Sequence, residues 1–116
     1  MRQIKYIIIN DSGLKNHVYH YSINGKGFVI ENTDIRKAVK VIDRKVDPDG
    51  YNASSIVIRC KALKEASCRE GLIDLLVELR HHFPEALILG AKEIGNYFIR
   101  VSDEMNQLRL ELSDMP

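Results

Sequence analysis

Tyr19 and His20, adjacent in the run Val18-Tyr19-His20-Tyr21, are the residues of this chain best suited to chemistry. A histidine titrates near neutral pH and can act as acid, base or metal ligand, and a tyrosine hydroxyl can assist at a polarised bond. His20 is the best placed of the four histidines for such work. In a strand it points to the opposite face from both neighbouring tyrosines, because side chains alternate. The plainer reading of the same residues is a packed, hydrogen-bonded imidazole and a tyrosine with its ring in the core. His81 and His82 end a helical segment, where a cation complements the helix dipole, and are read as surface residues.

Two further groups invite a chemical reading. Asp11, Asp47, Asp49 and Glu93 could join His20 in a carboxylate and imidazole site for a divalent metal. Asp47-Pro48-Asp49-Gly50, however, is already explained as a turn. Cys60 and Cys68 are the only two cysteines, and they have neither Cys-x-x-Cys spacing nor nearby paired histidines. They are read as structural, Cys60 buried in a strand and Cys68 on the surface at a helix start.

The elements that must position these residues follow from periodicity. Residues 4–9 form a β-branched run without helical spacing, expected as an interior strand covered on both faces. Residues 18–24 and 27–31 flank Gly25 and Lys26 and read as a hairpin whose glycine supplies a positive φ. Ile35, Ala38, Val39 and Ile42 fit a short helix, followed by the turn at 47–50. Ser55 to Cys60 is a strand by β-propensity. Ser67 and Glu70 have the spacing of a capping box. The helix they open carries Leu72, Leu75, Leu76, Leu79 and Phe83 on one stripe and stops before Pro84. Ala86 to Leu89 reads as a strand ending at Gly90; Tyr97 to Val101 is ambiguous; Ser102-Asp103-Glu104 opens a last helix to about Leu112. Together these predict one α/β domain over 1–116, a mixed β-sheet with flanking helices.

Bulk properties narrow the function classes. At 45% hydrophobic and 28% charged residues the chain can bury a core. Its net charge of +1 and dispersed basic residues, among them Arg2, Lys26, Arg59 and Arg100, argue against nucleic acid as partner. The apolar run Ile7 to Ile9 is too short for a signal peptide or a membrane span, so a cytoplasmic product with no membrane association is expected.

Several motifs, in order, are similar to the type-2 N-acetylmuramoyl-L-alanine amidases, a family related to peptidoglycan recognition proteins. Members open with a strand ending in His-x-Ser, where this chain has Asn10-Asp11-Ser12. A Gly-Tyr-His-Tyr strand and an Asp-Gly turn correspond to Val18-Tyr19-His20-Tyr21 and Asn24-Gly25-Lys26-Gly27. Gly-x-Asn-x-x-Ser-Ile is matched by Gly50-Tyr51-Asn52-Ala53-Ser54-Ser55-Ile56, and a strand ending in Gly-His by Leu89-Gly90-Ala91-Lys92-Glu93.

The resemblance implies a zinc-dependent peptidoglycan hydrolase, and the departures from it imply that the zinc has been lost. The metal-holding positions fall on Asn10, on Ala91 and near Ile99, none of them an imidazole, thiolate or carboxylate. No cofactor is therefore expected. The groove would comprise Asn10, Tyr19, Asn52, Ala91, Lys92 and Glu93, with Tyr19 matching the family's assisting tyrosine and His20 beside it. Asn10 and Tyr19 are nine positions apart, too few for the helix that walls the family's groove. The expected function is a degenerate, inactive amidase-like protein that binds peptidoglycan fragments or another protein. The alternatives are an active cell-wall amidase with unconventional ligands and a homo-oligomeric interaction module, for instance a homodimer.

Overall fold

Ile7, Ile8 and Ile9 point alternately to two sides and all have no exposed surface, so the strand that holds them must be covered on both faces. The computed structural model, which describes residues 2–10, 18–60, 62–94 and 103–114, provides that cover. In chain order the elements are β1 (Tyr6–Asn10), β2 (Tyr21–Ile23), β3 (Val29–Glu31), α1 (Tyr51–Ser54), β4 (Ser55–Cys60), α2 (Ala66–His82), β5 (Leu87–Gly90) and α3 (Asp103–Ser113). Single turns of 3-10 helix occupy Arg44–Val46 and Ala91–Glu93.

The strands form one mixed sheet in the order β3-β2-β4-β1-β5. β2, β4, β1 and β5 run parallel, and β3 folds back antiparallel on β2. Ile7, Ile9, Ile56 and Ile58 face α2 and α3, where Leu72, Leu76, Leu79, Met105 and Leu108 complete the larger core. Ile8 and Val57 face the other way, against Val39, Val41, Tyr51 and Ile94. The expected interior first strand, the α2 stripe and the closing helix are all present. Among the described residues no helix is long and apolar enough to cross a membrane.

Four local expectations are corrected. Residues 35–42 form no helix; Val39 and Val41 are both buried around an exposed Lys40, and the side chain of Asn52 binds the backbone of Val41 and Ile42. The hairpin strands are shorter than expected, and the positive φ belongs to Gly27, at 85°, while the Asn24 side chain accepts from the amides of Lys26 and Phe28. α2 begins without a side-chain cap, because the Ser67 hydroxyl donates instead to the carbonyl of Gly25 in the hairpin. Cys68 is buried, its sulfur in contact with that of Cys60 at 2.9 Å.

The hairpin rests on α2 by backbone contact. A Cβ added to Gly71 would collide with the Gly27 carbonyl, and one added to Gly27 would collide with the carbonyl of Ser67. Two glycines therefore set how closely β2 and β3 approach the helix. This fixes one wall of the cleft described next.

The interval between Asn10 and Tyr19, read above as lacking a helix, falls on residues 11–17, outside the described ones. Residues 95–102, which include Ile99 and the ambiguous 97–101 segment, are also outside them.

Candidate functional site at the carboxyl edge of the sheet

In an open sheet of parallel strands, ligands meet the carboxyl ends, where loops diverge and backbone groups are left over. Here that edge is formed by Asn10 ending β1, Arg59 and Cys60 ending β4, Ile23 ending β2 and Gly90 ending β5. The register pairs Asn10 with Arg59 and Ile9 with Gly90. Asn10 and Ala91 are thus the next residues along two neighbouring strands, both buried. Strand alternation places Asn10 on the side of Ile8 and Arg59 on the side of Val57, the same face of the sheet.

Tyr19 and Arg59 meet on this face. The Arg59 Nη1 donates to the Tyr19 hydroxyl at 2.8 Å, and its guanidinium carbon lies 5.2 Å from the ring centroid. Beside them an open cleft of about 280 Å³ runs toward the hairpin, lined also by Ser22, Asn24, Ile30 and Ala62. Arg59 was legible only as one of many dispersed basic residues. The signal that could have marked it is an arginine set into the otherwise apolar strand Ile56-Val57-Ile58-Arg59-Cys60.

His20 is fully buried and committed to the fold. Its Nδ1 accepts from the amide of Val57 at 2.9 Å, and its own amide donates to the Val57 carbonyl. The imidazole therefore extends the β2–β4 ladder at the point where β2 has not yet begun. Because Nδ1 is an acceptor, Nε2 carries the proton and donates to the Lys37 carbonyl at 2.7 Å. Burial lowers the pKa of His20; the hydrogen bond to the Lys37 carbonyl opposes it in part, the nearby Arg2 guanidinium lowers the pKa further, and Asp34 raises it slightly. Tyr19 precedes β2 and packs against the Ile8–Val57 core, so the expected alternation with His20 does not govern it.

The other expected groove residues are placed as follows. Asn52 lies in α1, its Oδ1 accepting from the amides of Val41 and Ile42 and its Nδ2 donating to the Ile42 carbonyl. Glu93 accepts from the Gly90 amide and, through both carboxylate oxygens, from Arg109 of α3 at 2.7 and 2.8 Å. Arg109 also donates to the Ile88 carbonyl, so this pair ties the end of β5 to α3. Lys92 lies in the 3-10 turn between Ala91 and Glu93. Asp47 accepts from the amides of Tyr51 and Asn52, the turn role expected of it. Among the described residues no three histidine, cysteine, aspartate or glutamate side chains group so as to hold a metal ion. Asp11 falls outside those residues.

No protein-family model matches the chain, and no curated protein matches it. Solved structures do. The chain is similar to the endolysin N-acetylmuramoyl-L-alanine amidase LysCS of Clostridium intestinale URNW, with a TM-score of 0.69 and 12% identity, over 96% of this chain and 85% of that one. It is similar also to N-acetylmuramoyl-L-alanine amidase LysC of the same strain, with a TM-score of 0.68 and 12% identity, over 96% of this chain and 87% of that one. The sheet order, the paired strand ends and these two likenesses agree: the chain has the fold of the N-acetylmuramoyl-L-alanine amidases.

Proposed function

We propose that this is an amidase-fold protein without a zinc centre, which holds a muramoyl-peptide fragment of the cell wall at the carboxyl edge of its sheet and does not hydrolyse it. One observation carries the reading. The adjacent strand ends that would each have to offer an imidazole hold Asn10 and Ala91. A catalytic zinc needs three protein donors and an open position for water. A neutral carboxamide is a poor donor and a methyl group is none. Arg59, in register with Asn10, adds a positive charge on the neighbouring strand, which disfavours a dication nearby. These residues do not fit zinc.

The muramoyl-peptide assignment draws on the activity named for the two similar structures and on the cleft beside the edge, which is lined for binding rather than for activating water. The test is metal analysis after dialysis against trace zinc, together with dye release from labelled cell-wall sacculi with and without a chelator. The expected result is no stoichiometric zinc and no dye release. One equivalent of retained metal, or release that a chelator stops, overturns the reading.

A further inference from the structure

We infer that the cleft between Arg59, Tyr19 and the hairpin is a monoanion site, built to take the carboxylate of a peptide whose apolar body lies along Ile30 and Ala62. The inference deepens the function proposed above and rests on it only for the sugar-bearing part of the ligand; the anion site is argued from the residues themselves.

The half-buried arginines other than Arg59 have acceptors of their own: Arg69 binds Glu111, Arg109 binds Glu93, and Arg2 donates to the carbonyls of Ile35 and Ala53. Arg59 alone among them has neither carboxylate nor carbonyl among the described residues, only the Tyr19 hydroxyl. A guanidinium has five N–H donors and keeps its charge at physiological pH. The tether and the ring beneath fix this one in place, so little side-chain freedom is lost when a ligand arrives.

The neighbouring groups are donors too. Asn24, which lines the cleft, has its Oδ1 occupied by the amides of Lys26 and Phe28 and keeps its NH₂ to give. Ser22 accepts from the Asn32 side chain and keeps its own O–H to give. Tyr19 accepts from Arg59 and likewise keeps its O–H. The polar side chains lining the cleft thus each have a proton donor to offer while already accepting at least one hydrogen bond, a pattern that favours an anion. Among the described residues Arg59 is the only charged one lining the cleft, and it matches one negative charge. The planar fork of a guanidinium suits a carboxylate, and the apolar walls suit a peptide side chain.

Calorimetry on the intact protein tests this with four probes: a muramoyl dipeptide ending in a free carboxylate, the same molecule as its C-terminal amide, an N-acetyl dipeptide acid without sugar, and inorganic phosphate. The acid form is expected to bind at least ten-fold more tightly than the amide. Arg59→Gln should abolish that preference while circular dichroism and the unfolding midpoint stay near the parent's. Tyr19→Phe, which keeps the charge and removes the tether, should weaken the acid form several-fold. Equal binding of acid and amide overturns the carboxylate site and leaves the cell-wall reading intact. Equal binding of the sugar-free acid and the muramoyl acid supports the site and removes the cell-wall reading. Phosphate binding more tightly than the acids, or no acid binding at millimolar concentration, overturns the inference.

Discussion

Replacing His20 with asparagine and following stability with pH probes the least obvious piece of this fold. The imidazole is fully buried, with Nδ1 accepting from Val57 and Nε2 donating to Lys37. Protonation would set a second N–H, at Nδ1, against the Val57 amide, donor facing donor, and would charge a ring whose Nε2 lies 3.0 Å from the Arg2 Nη2. Burial holds the folded pKa below the ordinary histidine value, opposed in part by the Lys37 carbonyl and aided by Arg2. Below about pH 6.5 the unfolded chain then binds a proton that the folded chain refuses. Stability is full above that pH and falls as pH drops toward the folded pKa, at up to about 1.4 kcal/mol per pH unit. Asparagine can present its Oδ1 near the position of Nδ1, but it cannot reach Lys37, so the variant should start about 1–3 kcal/mol less stable at pH 7. It should then lose less than the parent down to pH 5. Urea unfolding of both proteins at several pH values gives the difference, and an NMR titration of the imidazole gives the pKa. Parallel pH profiles, or an imidazole titrating at or above 6.5, would refute the reasoning.

Leu76→Ala should cost about 2–5 kcal/mol in urea unfolding, since Leu76 is fully buried at the centre of the α2 stripe; a loss below about 1 kcal/mol would mean the stripe is not the buried face. Gly71→Ala would stabilise an unobstructed helix by about 1 kcal/mol, but contact with the Gly27 carbonyl should reverse the sign and cost about 1–3 kcal/mol. A gain in stability would show that the hairpin does not rest on α2. Restoring donors with Asn10→His, Ala91→His and Ile99→Cys should create zinc affinity measurable by calorimetry with little hydrolysis of sacculi, because turnover also needs oriented supporting residues. Adding Arg59→Gln should tighten that zinc, because it removes a like charge beside Asn10; no binding in either variant would mean the two strand ends do not converge as the register indicates.

β1 and α2 were legible because each is specified by its own residues. A run of isoleucines admits little but an interior strand, and five apolar side chains at three- and four-residue steps admit little but a helix on a sheet. The segment 35–42 was not legible, because its spacing satisfies a helix while its conformation is set by Asn52, which lies ten and eleven residues beyond the amides it binds. Ser67 misled for a similar reason. Its spacing to Glu70 is that of a capping box, yet its hydroxyl reaches Gly25, 42 residues earlier. The burial of Cys68 likewise depends on Cys60 and the packing of α2 on β4, which no local pattern encodes. At the site, the sequence pointed to Asn10 and Ala91 through motif order, and the register makes them neighbours. It gave Arg59 no such emphasis, since a single cation acquires meaning only when the groups around it are known.

The polar side chains near the carboxyl edge divide by what their hydrogen-bonding capacity does. Asn52 holds the backbone at 41–42, Asp47 holds the start of α1, Glu93 with Arg109 holds the end of β5 against α3, and His20 completes the β2–β4 ladder. Where a structural metal ties loops together, its loss costs folding free energy. Here side chains make such ties. Removing any tie strands buried amides or carbonyls, or an Arg109 without its carboxylate, and the cost falls on stability. Arg59, Ser22 and Asn24 differ in having donors left over. Substitution of Arg59 or Ser22 should change which ligand binds and by how much, and should leave the unfolding midpoint nearly where it was. A paired measurement of midpoint and ligand affinity across both groups therefore separates scaffold from site. A chain in which Glu93→Gln altered ligand preference more than Arg59→Gln would have its site at β5, and the cleft beside the hairpin would be only a surface feature.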